Sequence, residues 1–155
     1  MIQRIYIDTS VVGGLFDVEF AEGTTLFFEQ VTSGELIIIV SDLLEAELLG
    51  APKFVKDYFE SIPETQIEKV KLTPEASALA DKYISANVVG KTCKADCQHI
   101  AIATICRADV LVSWNFKHIV NLSRIRGYNG INYQMGYPMI EIRTPKEIAN
   151  YGKTD

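Results

Sequence analysis

Two aspartates, one of two glutamates and an asparagine stand where this 155-residue chain could do oxygen-ligand chemistry. Asp8 ends the apolar run Ile5-Tyr6-Ile7. A carboxylate closing a buried strand is costly unless something holds it there. Asp96 falls in the first turn of the helical stretch KADCQHIAIATICRA. The helix N-terminus favours an anion at that point, which alone would account for Asp96 as a surface residue. Ser113, Trp114 and Asn115 follow the apolar DVLV, and Asn115 could also be the N-cap of a helix after it. Glu45 and Glu47 compete within DLLEAELLG. Asp42 as N-cap with Glu45 three residues on resembles a capping arrangement, which gives Glu45 a structural task. Glu47 lies three residues from Leu44 and four from Leu43 and shares their face, although Leu49 blurs that stripe.

Carboxylates gathered in one cleft repel and raise one another's pKa. An oxygen-seeking divalent cation resolves the conflict, and Mg²⁺ or Mn²⁺ takes carboxylates, amide oxygens, waters and phosphates. Such a cation activates water and offsets charge developing on a phosphate. His99 stands three residues after Asp96 on the same helical face. An oxygen-rich site gives it a supporting place inside the fold rather than a ligand's place, and His118 is expected at the surface.

The elements that must position these groups alternate. Strands are expected at RIYID, ELIIIVS, TQIEKVKL, DVLVSW and MIEIR. Helices are expected at GTTLFFEQVTSG, DLLEAELLG, PKFVKDYFESI, TPEASALADKYISAN and KADCQHIAIATICRA, in the stretch from NFKHIVN to RIRGYNG, and after the Thr-Pro-x-Glu turn that ends in KEIANY. Thr73 as N-cap, Pro74 at the first helical position and Glu75 in the first turn make a strong start. The continuous apolar run in ELIIIVS reads as a strand buried on both faces. Strands joined by crossover helices give an α/β fold of three layers, α/β/α, with a central, mainly parallel sheet. In such folds polar sites collect beyond the carboxyl ends of the strands, where Asp8 and Ser113–Asn115 both fall.

Length and a 48% hydrophobic content suit one domain spanning residues 1–155. No apolar run reaches the roughly 18 residues of a membrane helix, and MIQRIYID leads straight into a strand rather than a secretory signal. Cys93, Cys97 and Cys106 form no Cys-x-x-Cys pair, so zinc and disulfide frameworks are poorly supported. Cys97 and Cys106 read as small core residues of one helix, and the expected compartment is the cytoplasm. A net charge of −5 argues against broad nucleic-acid coating. Yet the chain has no Asp or Glu from Val110 to Ile140, where Lys117, Arg124 and Arg126 fall. That local basic face suits a short or structured polyanion, or is simply a solvated face.

YIDTSV, AELLG, ADCQHIAIAT and ADVLVSWNFKHI occur in this order along the chain. In these four segments the sequence resembles the PIN domains, the fold of many VapC-like toxin ribonucleases of toxin–antitoxin pairs. The resemblance spans nearly the whole chain. It implies a metal-dependent endoribonuclease, an RNA substrate, an antitoxin partner and a homodimer. It aligns Asp8, Glu47 and Asp96 with the family's acidic residues and so decides between Glu45 and Glu47. Asn115 falls at a final Asp or Asn position. Ser113 matches a Thr or Ser that orients the site, with Thr9 or Ser10 doing the same beside Asp8. A further acidic residue usual after Asn115 is replaced here by FKHIVN, which favours one cation over two. Two other readings stand beside this one. The first is a PIN-fold module that binds a protein or RNA partner with little or no catalysis. The second is a phosphatase using an Asp after its first strand, weakened because the usual second Asp, two residues on, is Ser10.

Overall fold

The computed structural model describes residues 2–150, the Thr92 side chain aside. Tyr151, placed by sequence in the last helix, lies outside the described residues. Five parallel strands form one sheet: β1 (Gln3–Ile7), β2 (Leu36–Ser41), β3 (Ile67–Val70), β4 (Val110–Val112) and β5 (Ile142–Arg143), in the order β3-β2-β1-β4-β5. The chain builds outward from β1 to β3, then returns across the sheet to lay β4 on the other side of β1. The strand order therefore reverses between β1 and β4, and it is beyond the carboxyl ends at such a reversal that polar sites collect.

Apolar runs without alternation become central strands because both faces are covered. Ile5, Ile7, Ile38, Val40, Val110 and Val112 pack into one core layer, with Phe27, Phe28 and Val31 of α2 (Ala21–Thr32). Tyr6, Ile39 and Leu111 point the other way. They meet α5 (Pro74–Ser85) and α6 (Lys94–Ile105), the antiparallel pair that carries the crossover. This is the two-residue period of a strand, read from both sides.

The remaining helices are α1 (Thr9–Gly14), α3 (Asp42–Leu48), α4 (Lys53–Glu60), α7 (Leu122–Gln134) and α8 (Pro145–Asn150). Thr73 caps α5 as expected, accepting from Ala76 N–H at 3.1 Å. At the start of α8, Thr144 Oγ1 accepts from Glu147 N–H while Glu147 accepts from Thr144 N–H, a reciprocal capping pair.

Several local expectations change. The cap of α3 is Ser41, whose hydroxyl accepts from Leu44 N–H. Asp42 instead accepts from Leu72 N–H, tying α3 to the exit of β3. Glu45 has no capping bond and sits 3.9 Å from Lys69. Helix α2 begins at Ala21, so Gly23 lies inside its first turn. A Cβ there would stand 2.9 Å from Lys146 Cβ and 3.2 Å from Trp114, so the glycine serves close packing. Cys97 lies in the core of α6, but Cys106 is its C-cap and half-buried. The helix expected from residue 115 starts only at Leu122, capped by Asn121.

Candidate metal and active site

The register Ile7↔Val112 sets Asp8 beside Ser113 at the switch point. Asp8 is the N-cap residue of α1, yet its carboxylate makes no capping bond. One oxygen accepts from Ser10 Oγ at 2.6 Å and the other from Ser113 Oγ at 2.6 Å. Each hydroxyl is held from behind: Trp114 N–H donates to Ser10 Oγ and Asn115 N–H donates to Ser113 Oγ, both at 2.9 Å. Asp8 is only 4% exposed. Burial raises its pKa, against the two serine bonds and the His99 charge, and the neighbouring Asp96 pushes it further up.

Asp96 is reached because α6 runs antiparallel to the strands and starts at their carboxyl edge. Burial raises its pKa too; His118 and His99 pull down, and Glu47 pushes up. Asn115 donates from Nδ2 to Asp96 at 3.3 Å. Its oxygen accepts from Lys117 N–H and His118 N–H, so Asn115 caps the turn after β4 and orients Asp96 with what remains. The N-cap and site readings of Asn115 thus both hold, with a turn in place of a helix.

Glu47 comes from α3 and meets the same edge. Its Oε1 accepts from Thr9 Oγ1 at 2.9 Å and lies 2.6 Å from His99 Nε2. The His99 bond, opposed by partial burial, lowers the Glu47 pKa. Buried His99 is anchored on its far side, where Nδ1 is 2.6 Å from Tyr6 Oη. Tyr6, fully buried, donates in turn to Ser41 Oγ. His99 therefore has the supporting position inside the fold, bonded to a carboxylate.

Tyr6 and Ser41 had no place in the expected site. The signal was present in Tyr6, the one polar tip in the apolar run Ile5-Tyr6-Ile7, facing the layer of α6. His118 departs from its surface expectation: it is half-buried, and its Nδ1 is buried without a hydrogen-bond partner. Lys117 and Arg126 are exposed, whereas Arg124 donates to the Val88 carbonyl and is tied to the fold. Trp114 stacks on Phe20 at 4.5 Å with Phe116 beside both, and Phe116 is 48% exposed.

The likeness to known structures is one of shape. VapBC2 from Rickettsia felis, solved bound to a DNA fragment from its promoter, matches with a TM-score of 0.57 and 13% identity. The match covers 92% of this chain and 98% of that one. FitAcB from Neisseria gonorrhoeae matches with a TM-score of 0.56 and 15% identity, over 91% and 97% of the two chains. The fold they share with this chain is PIN-like. No protein-family model matches the sequence, and no curated protein matches it either. Among the described residues no helix is long and apolar enough to cross a membrane.

Proposed function

We propose that this protein is a metal-dependent endoribonuclease that hydrolyses RNA phosphodiester bonds and acts as the toxin of a toxin–antitoxin pair. The observation that supports this most is electrostatic. Carboxylates from β1, α3 and α6 converge at one sheet edge, Asp8 and Asp96 both with raised pKa. Among the described residues neither has a Lys or Arg ion-pair partner. The donor set fits a hard divalent cation, since it is made of carboxylate oxygens. Asp8, Asp96 and Glu47 would hold Mg²⁺ or Mn²⁺. Bound there, the cation supplies positive charge against a phosphate and lowers the pKa of water.

The chain's own residues prepare that binding. Ser10 and Ser113 aim both Asp8 oxygens and favour their charged form. Thr9 and His99 fix Glu47, and the lowered pKa keeps it ionised through neutral pH. The neutral Asn115 leaves one fewer negative charge, which favours one cation. Exposed Lys117 and Arg126 would meet the RNA backbone, and the Phe20-Trp114-Phe116 ledge offers a surface for a base to stack on. Arg124, bonded to Val88, contributes charge from a fixed position.

A small antitoxin that covers this edge, a homodimer and a cytoplasmic location complete the reading. Induced expression of the protein in a bacterial host tests it. Growth arrest with fragmented RNA, abolished by Asp96→Ala, is the expected outcome. Full growth with intact RNA at high soluble expression would count against a toxin.

A further inference from the structure

Beside the carboxylates lies a second, chemically different group. Cys93 ends the 3₁₀ turn Lys91–Cys93 and is the N-cap of α6. Asp96 follows in the first turn, and His118 comes from the turn after β4. One ligand atom of each, a thiol sulfur, a carboxylate oxygen and a ring nitrogen, lie within 4.8 Å of one another. Two further observations favour a ligand here. His118 Nδ1 is buried and without a hydrogen-bond partner. The His118 backbone is clamped, its N–H by Asn115 Oδ1 at 3.0 Å and its carbonyl by Tyr128 Oη at 2.7 Å.

We propose that Cys93, Asp96 and His118 bind a transition-metal ion of the Zn²⁺ class, and that this ion, by taking Asp96, turns off the carboxylate site. The donor set separates the two sites. Sulfur and imidazole select borderline-soft ions over Mg²⁺, and three protein ligands with one open position is a common tetrahedral arrangement. Zinc bonds of about 2.0–2.3 Å place tetrahedral ligand atoms roughly 3.3–3.7 Å apart. The three side chains therefore close by about 1 Å on binding, within the reach of small χ adjustments. Asp96 cannot serve both ions fully. The inhibitory part of the proposal rests on the nuclease reading; the binding part does not.

Co²⁺, a spectroscopic stand-in for Zn²⁺, tests the binding directly on the intact chain. The expected result is one equivalent of Co²⁺ with a thiolate-to-metal charge-transfer band, displaced by Zn²⁺. Cys93→Ser should lose the band, and His118→Gln should weaken binding roughly tenfold or more, while Asp8→Asn keeps it. Circular dichroism checks that each variant is folded. In the RNA assay, Zn²⁺ should suppress Mg²⁺-dependent cleavage by wild type. Cys93→Ser should keep its Mg²⁺-dependent rate and need roughly tenfold more Zn²⁺ for the same suppression. No thiolate band in wild type, or a band unchanged in Cys93→Ser, overturns the site whether or not the protein cleaves RNA. Equal Zn²⁺ inhibition of wild type and Cys93→Ser overturns the regulatory part alone.

Discussion

Ser113→Ala probes how the candidate site holds its most buried charge. The Ser113 hydroxyl is fully buried, donates to Asp8 at 2.6 Å and accepts from Asn115 N–H. A hydrogen bond to a charged group is worth about 1.5–3 kcal/mol. For a chain of this size each kcal/mol moves the melting temperature by about 2–4 °C. The variant should therefore melt about 3–12 °C lower at any pH where Asp8 is ionised. The sign with pH follows from the raised Asp8 pKa. A raised carboxyl pKa means that ionisation destabilises the cation-free fold above that pKa, and the penalty is relieved as pH falls through it. Removing Ser113 removes a cause that lowers this pKa, so the variant's Asp8 ionises at still higher pH. The stability gap to wild type should thus narrow on acidification, while the acid limb of Mn²⁺ affinity moves to higher pH. Differential scanning calorimetry and isothermal titration across a pH series read both quantities. An unchanged melting temperature together with an unmoved acid limb would refute the idea that Ser113 holds the charged form of Asp8.

Gly14→Ala and Gly13→Ala should part company. A Cβ on Gly14 would meet Thr24 Oγ1 and Trp114 Nε1 at 2.7 Å and break their 2.8 Å bond, whereas one on Gly13 meets nothing within 4 Å. Thermal melts should show Gly14→Ala about 1–3 kcal/mol less stable and Gly13→Ala unchanged or up to about 1 kcal/mol more stable. Tyr6→Phe removes a fully buried hydroxyl from between Ser41 and His99. Urea denaturation should give a loss of about 1–3 kcal/mol, and the RNA assay a lower turnover with the fold retained, because His99 then orients Glu47 less firmly.

The parallel architecture was legible because its central strands β1, β2 and β4 hold apolar runs and the helix α5 carries a clear cap at Thr73. The convergence of Asp8 and Ser113 was legible for a related reason: both residues directly follow apolar runs that end at one sheet edge. Glu47 was harder. The helical wheel of α3 favours it only mildly, and the resemblance to PIN domains, not periodicity, singled it out from Glu45. Its actual partners, Thr9 and His99, come from two other elements. Long-range polar pairing leaves no mark on local spacing, which is why Ser41 and the Cys93–His118 approach were not legible, while Tyr6 showed only as a polar tip between two isoleucines. The cap of α3 went to Ser41 rather than Asp42 because Asp42 had a tertiary partner, the Leu72 N–H. The turn from Asn115 to Asn121 hid inside a sequence with helical spacing, since Asn115 Oδ1 ends the strand with a tight turn instead.

The most direct measurement follows labelled structured and single-stranded RNAs with purified protein, with and without Mg²⁺ or Mn²⁺, beside an Asp8→Ala, Asp96→Ala double variant. The account predicts cleavage by wild type that requires the divalent cation and is lost in the folded double variant. Cation-dependent cleavage that persists at the wild-type rate in the double variant would contradict it. So would no cleavage by wild type together with no Mn²⁺ binding.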